Sequence, residues 1–151
     1  MFMEELPTWF QEAKKHLGRK PSCMSPKLKD INFWRHVELN SITNDKIFWA
    51  GAFVGAVLDF SNVSSSKSGV ISSYMRWGFA IQRASIGCVT ILNIDHSLHI
   101  GFASGIDEQG NLLILGANTP MSVTIKRYPI KNVIGYRWPN LAIKQLPLPH
   151  A

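Results

Sequence analysis

The stretch FWAGAFVGAVLDF, residues 48–60, lies in the longest apolar run of the chain, which only Asp59 interrupts with a charge. Small and large apolar residues alternate along it without a polar face, so a helix here would be buried on nearly every side. The small residues, among them Ala50, Gly51 and Ala52, would let other parts of the backbone approach closely. The stretch therefore predicts a central buried helix.

The segments on either side of this stretch also have helical patterns. Apolar residues recur at helical spacing over residues 7–17 and 26–38, which predicts two helices before the central one. Residues 61–69 are almost entirely polar and predict a loop. Residues 71–77 could then form a short helix that ends at the following glycine. The first half of the chain is thus predicted to be helical.

The second half of the chain changes to strand patterns. Runs rich in Val, Ile, Leu and Thr recur about every ten residues, as in an antiparallel meander; they cover residues 87–93, 98–104, 111–116, 121–127 and 133–138. Residues 107–111 form the clearest hairpin turn. Because helices come first and strands second, the fold class is α+β rather than doubly wound α/β. We expect one domain over residues 1–151, with a loose tail from about residue 140.

Composition and charge limit the possible partners. The 151 residues are 46% hydrophobic and 17% charged, which is typical of a packed domain. Lys and Arg outnumber Asp and Glu by 16 to 10, so anionic partners are favoured. We expect no nucleic-acid partner, because no binding motif or set of aromatic residues interleaved with Arg occurs. We also expect no membrane insertion and no signal peptide, since the longest apolar run is too short and the N-terminus is acidic.

The cysteines and the histidines give no sign of a metal site. Cys23 and Cys88 are too few for a disulfide scaffold and lack the paired spacing of a zinc site. His96 and His99 could suggest a metal pair, but residues three apart on a strand point to opposite faces. No further ligand lies at a matching spacing. We therefore expect no metal and interpret both cysteines as bystanders.

Several short segments, in order along the chain, carry a family resemblance; they are WAGAFV at 49–54, RWG at 76–78, Gly87, HIGF at 99–102, LGAN at 115–118 and IGYRWP at 134–139. Together they resemble the NlpC-type papain-like cysteine peptidases and amidases of bacterial cell-wall hydrolases, including the amidase effectors of type VI secretion. The match extends from about Pro7 to Pro139. It implies a papain-like fold, with N-terminal helices packed on a C-terminal antiparallel sheet of about five to six strands.

The resemblance places the family's nucleophilic cysteine at Ala50. In the family this residue begins the buried helix, where unpaired N–H groups lower the pKa of a thiol and can hold an oxyanion. An alanine keeps the helix and removes the chemistry. Two explanations are open: the cysteine was deliberately replaced, or the chain is a natural pseudoenzyme.

The other site residues also follow from the resemblance. His99 matches the general base, and Asn118 matches the polar residue that orients the imidazole. Trp49 precedes the nucleophile position and could line the wall of the groove. Without the resemblance, His99 would be interpreted as an ordinary strand histidine and Asn118 as a turn residue.

The implied function is a cysteine amidase or endopeptidase that cuts an amide bond in the peptide stem or cross-link of peptidoglycan, and it needs no cofactor. Such a protein would act as an antibacterial effector or lysin in the periplasm or cell wall of a target bacterium. An effector would come with an immunity protein that plugs the groove. The alternative is a noncatalytic pseudoenzyme that binds cell wall or a protein partner.

Overall fold

A computed structural model describes residues 5–19, 45–118 and 122–150, with the backbone alone at residues 45–48. The predicted helix at 26–38 and Cys23 lie outside these ranges. Helix α1, Thr8–Lys14, is shorter than the predicted 7–17, because residues 15–18 form turns instead of continuing the helix. It buries Trp9, Phe10 and Ala13 in the core. The predicted first helix is therefore confirmed in position.

Helix α2, Asp45–Phe60, is the predicted central helix. All residues from 51 to 58 are buried, as its lack of a polar face requires. It packs against α1 and against two central strands of the sheet. Within the described residues, no helix is long and apolar enough to span a membrane.

Six strands form one antiparallel sheet in the order β1-β6-β2-β3-β4-β5. The strands are β1 Phe79–Ile81, β2 Val89–Ile94, β3 Ser97–Ile106, β4 Leu112–Asn118, β5 Ser122–Tyr128 and β6 Val133–Trp138. The five predicted strands and the turn at 107–111 are confirmed, and so is the α+β class. Strand β1 was not predicted, because three residues are too short to show a strand pattern.

The predicted meander holds for β2 to β5 but not for β6. Instead of pairing with β5, β6 crosses to the far side of β2. A 3-10 helix at Ile130–Asn132 precedes it, and the Asn132 side chain donates a 3.1 Å hydrogen bond to the Asn93 carbonyl beside the end of β2. Spacing alone could not distinguish these two placements, because it records where strands occur and not which strands pair.

The polar loop at 61–69 is confirmed, and it is attached firmly to α2. The Asp59 carboxylate accepts hydrogen bonds from the Ser65 backbone and hydroxyl at 2.8 and 3.0 Å and from Lys67 Nζ at 2.9 Å. The loop then crosses α2 so closely that a Cβ built on Gly51 would lie 2.8 Å from the Gly69 carbonyl carbon. The small residues of α2 thus permit the close backbone approach that the sequence predicts. The loop then leads into a 3-10 helix, Ile71–Arg76.

The C-terminal segment corrects the expectation of a loose tail. Ile86 N–H donates to Leu146 at 2.8 Å, and Ile106 N–H donates to Pro149 at 3.0 Å. Leu146 and Leu148 are buried in the core. The neighbouring prolines favour an extended backbone, which can lie along the strands and direct alternate side chains inward.

Candidate active site

A cleft of about 530 Å³ opens at one end of the sheet, beside α2. Its walls come from α2, the start of the 3-10 helix Ile71–Arg76, the turn between β2 and β3, and strands β3, β4 and β5. The residues that line it are Trp49, Ala50, Val70, Ile71, Ser72, His96, Ser97, Leu98, His99, Ile100, Ala117, Asn118 and Lys126. Trp49, Ala50, His99 and Asn118, the site residues implied by the resemblance, all lie in this one cleft.

Strand register explains why His99 and Asn118 line the same cleft. In the β3–β4 pair Phe102 lies opposite Leu115, and the same register continued toward the cleft reaches His99 on one strand and Asn118 on the other. The strands come so close here that a Cβ on Gly101 would lie 2.7 Å from the Leu115 carbonyl oxygen. A glycine is therefore required in the HIGF segment for packing, independently of any catalytic role.

Position 50 differs from the expected geometry in one respect. Helix α2 begins at Asp45, so Ala50 is its sixth residue and not its first. The unpaired N–H groups of a helix belong to its first four residues. The stabilisation by a helix N-terminus that was expected for a thiol or an oxyanion at position 50 is therefore weaker than predicted. The partly exposed Ala50 methyl group itself offers no nucleophile.

His99 has an environment that favours the neutral form of its imidazole. The side chain is half-buried, and its ring lies 5.8 Å from the ring of Tyr128, measured between centroids. Burial, with a further contribution from the Lys126 ammonium group, lowers the pKa of His99 below its ordinary value of 6.5. The imidazole is consequently neutral at neutral pH, which is the form that a general base requires.

Asn118 does not make the expected contact with His99. Its amide Nδ2 donates to the Gly116 carbonyl at 3.1 Å and to the Thr124 hydroxyl at 2.9 Å. Throughout the described ranges, no hydrogen bond joins Asn118 to His99. In this arrangement the Asn118 amide connects β4 to β5, and the neighbour of the His99 ring is Tyr128.

Trp49 belongs to the wall of the cleft, but its side chain is buried. Only 1% of its surface is exposed, and its ring packs 6.1 Å from the ring of Phe53. Such a buried ring has little surface on which a ligand could stack. The structure therefore places Trp49 in the wall of the cleft with almost no surface of its own exposed.

Several residues in or beside the cleft are not predicted as site residues from the sequence. His96 belongs to the two-residue turn between β2 and β3, so the expectation that it shares a strand with His99 and points the opposite way is wrong. The flanking strand patterns could have placed this turn. Lys126 and Tyr128 had no such signal, because they reach His99 from β5, which does not pair with β3. Across the described part of the chain, no group of three metal-binding side chains comes together.

Cys88 lies outside the cleft and does not replace the missing thiol. It is fully buried, with Sγ 3.5 Å from the Thr90 hydroxyl. Burial raises the pKa of the Cys88 thiol, which keeps it protonated and unreactive. Its environment is that of a core residue.

The chain was compared with models of known protein families, with curated proteins and with solved structures, and none of the three comparisons found a match.

Proposed function

We propose that this chain carries the active-site cleft of a peptidoglycan cysteine amidase or endopeptidase, with alanine at the nucleophile position. One observation carries the proposal. Residues 50, 99 and 118, each selected from a different segment by the family resemblance, line the same cleft although they belong to a helix and two strands. Side chains so far apart in sequence come together only through the tertiary fold.

The chemistry follows from a cysteine placed at position 50. Neutral His99 would take the proton of the thiol, and the thiolate would attack the carbonyl carbon of an amide in the peptide stem. The tetrahedral intermediate would collapse as the amine leaves with the proton from His99. Water, deprotonated by His99, would then hydrolyse the thioester and release the acid product and the free thiol.

A noncatalytic binding function is the second candidate, and two observations favour it. Ala50 cannot form a thioester, and the amide of Asn118 is engaged with Gly116 and Thr124 instead of His99. A pseudoenzyme would keep the cleft and lose the arrangement needed for proton transfer. It would bind peptide stems, or a protein that occupies the cleft, without cutting an amide bond.

The test is to restore the thiol with Ala50→Cys and to incubate the protein with purified peptidoglycan sacculi. Released muropeptides are identified by mass spectrometry. The matched control is Ala52→Cys, which adds a thiol to the same helix at a fully buried position outside the cleft. The second control is the double variant Ala50→Cys, His99→Ala.

Defined fragments that appear only with cysteine at position 50, and that disappear without His99, support the hydrolase. If Ala50→Cys is folded and releases nothing, while the parent chain sediments with sacculi, the binding function replaces it. If the parent neither binds sacculi nor gains activity with the thiol, both the hydrolase and the binding of peptide stems are wrong.

A further inference from the structure

An aromatic ring packs against the imidazole of His99, and it belongs to Tyr128. The two ring centroids lie 5.8 Å apart with the planes tilted by 53°, which is within the range of favourable ring pairs. Only 8% of Tyr128 is exposed, so the surrounding core holds its ring in place. Because this contact covers part of the imidazole, it restricts both the orientation of the His99 ring and its access to water.

The path of the chain after β5 explains the contact. Tyr128 ends β5, and the chain then crosses to β6 on the far side of β2. At the start of β6, Val133 pairs with Leu92 of β2, and Leu92 pairs with His99 on its other side. The crossover thus returns the chain to the strand beside His99. Strand pairing before and after the crossover therefore fixes where Tyr128 lies.

Asn118 does not share this position. Its amide Nδ2 donates to the Gly116 carbonyl and the Thr124 hydroxyl, and no hydrogen bond joins it to His99 within the described part of the chain. A side chain that orients an imidazole must contact the imidazole. Of Asn118 and Tyr128, the structure gives that contact to Tyr128.

Few charged or titratable groups surround His99. Lys126 faces it from β5 and His96 from the turn between β2 and β3, whereas the described cleft residues of α2, β4 and the 3-10 helix Ile71–Arg76 contain no titratable group. Burial is the main cause that lowers the pKa of His99, and the Lys126 ammonium group adds to it. Burial also raises the pKa of Tyr128, so its phenol stays neutral. Tyr128 thus contributes contact and burial to the imidazole, and no charge.

We propose that Tyr128 is the residue that positions the imidazole of His99, the role that the family resemblance assigns to Asn118. Its ring fixes the orientation of the imidazole in the cleft and shields part of it from water. The inference rests on the proposed function, because His99 is the base of that mechanism. Tyr128 is a positioning residue, since it acts on a ligand only through His99.

The test follows His99 itself by NMR in the parent chain with Ala50. A pH titration of the ring protons measures the pKa of His99, and the three-bond Hα–Hβ couplings show whether its side chain occupies one rotamer or several. Tyr128→Leu and Tyr128→Met keep an apolar side chain and remove the ring. We expect the pKa of His99 to rise toward 6.5, because water reaches the imidazole, and its single rotamer to be lost.

Three control variants separate the ring from other effects. Tyr128→Phe keeps the ring without the hydroxyl and should keep both the pKa and the rotamer of His99. Asn118→Ala should also leave both unchanged. The matched control is Tyr136→Leu, which removes a half-buried tyrosine of β6 outside the cleft. Circular dichroism of each variant shows whether it is folded.

Three results would overturn the inference. The first is the absence of nuclear Overhauser effects between the rings of His99 and Tyr128 in the parent chain, and the second is a folded Tyr128→Leu or Tyr128→Met variant with an unchanged His99. The third is a disturbance by Asn118→Ala or Tyr128→Phe as large as that by Tyr128→Leu. None of these results depends on activity. If Ala50→Cys releases no muropeptides, the hydrolase is wrong, and the titration of His99 still decides the role of Tyr128.

Discussion

Replacing His96 with glycine should stabilise the protein and weaken its ligand binding at the same time. Asp95 and His96 form the two-residue turn between β2 and β3, because Ile94 pairs directly with Ser97. Both turn residues have positive φ, 50° at Asp95 and 66° at His96. A type I′ turn of this kind favours glycine at its second position, and histidine there has a conformation that its Cβ disfavours.

The size of the effect follows from two opposing contributions. A non-glycine residue in the left-handed region costs about 1–2 kcal/mol, which glycine avoids. Glycine in turn gains freedom in the unfolded chain, which lowers stability by about 0.4–1 kcal/mol. His96→Gly should therefore raise the free energy of unfolding by about 0.5–1 kcal/mol, which corresponds to a rise in Tm of about 1–4 °C for a chain of this length.

The matched control is Asp95→Gly, which changes the other turn residue. Asp95 does not line the cleft, whereas His96 does. Calorimetry should show stabilisation by both variants, smaller for Asp95→Gly because aspartate tolerates positive φ better. Sedimentation with purified sacculi should show weaker binding for His96→Gly alone.

Two results would contradict this reasoning. A lower Tm for His96→Gly would mean that packing of the imidazole stabilises the protein by more than the left-handed backbone conformation of His96 destabilises it. Equal losses of binding in the two variants would show that the shape of the turn, and not the His96 ring, serves the ligand.

Three further predictions concern packing and pH. Gly51→Ala should lower the free energy of unfolding in urea by about 1–3 kcal/mol, because the added Cβ overlaps the backbone of Gly69; an unchanged value would mean that the loop moves away freely. Leu148→Ala should cost about 2 kcal/mol because the side chain is buried, whereas Leu141→Ala, at an exposed position, should change stability by less than about 0.5 kcal/mol; equal effects would refute docking of the C-terminal segment. Burial lowers the pKa of His16 below 6.5, so the folded state favours the neutral imidazole. The stabilisation from neutral His16 is therefore complete above pH 6.5 and is lost as the pH falls through 6.5 toward the folded-state pKa. Denaturation across this range should show a smaller loss for His16→Gln than for the parent chain, and identical curves would contradict the assignment.

Local patterns determined much of this fold. Helix α2 could be predicted because residues 48–60 are apolar without a polar face, and five strands could be predicted from runs of β-forming residues between turns. The turn at 107–111 has a local cause as well, since the Asp107 carboxylate accepts hydrogen bonds at 2.9 Å from the N–H groups of Gln109 and Asn111. Interactions within a few residues decide these elements, so the sequence contains the information directly.

The candidate site also combines features that the sequence indicates with features that only tertiary contacts decide. The family resemblance selected positions 50, 99 and 118 as candidate site residues from the sequence, and the first of them carries no thiol. Only the tertiary structure brought Lys126 and Tyr128 to His99 and directed the Asn118 amide toward Thr124. The pairing of β6 with β2 and the docking of the C-terminal segment were also decided there. These features depend on which strands pair and on how side chains pack between segments distant in sequence, and no local pattern records such contacts.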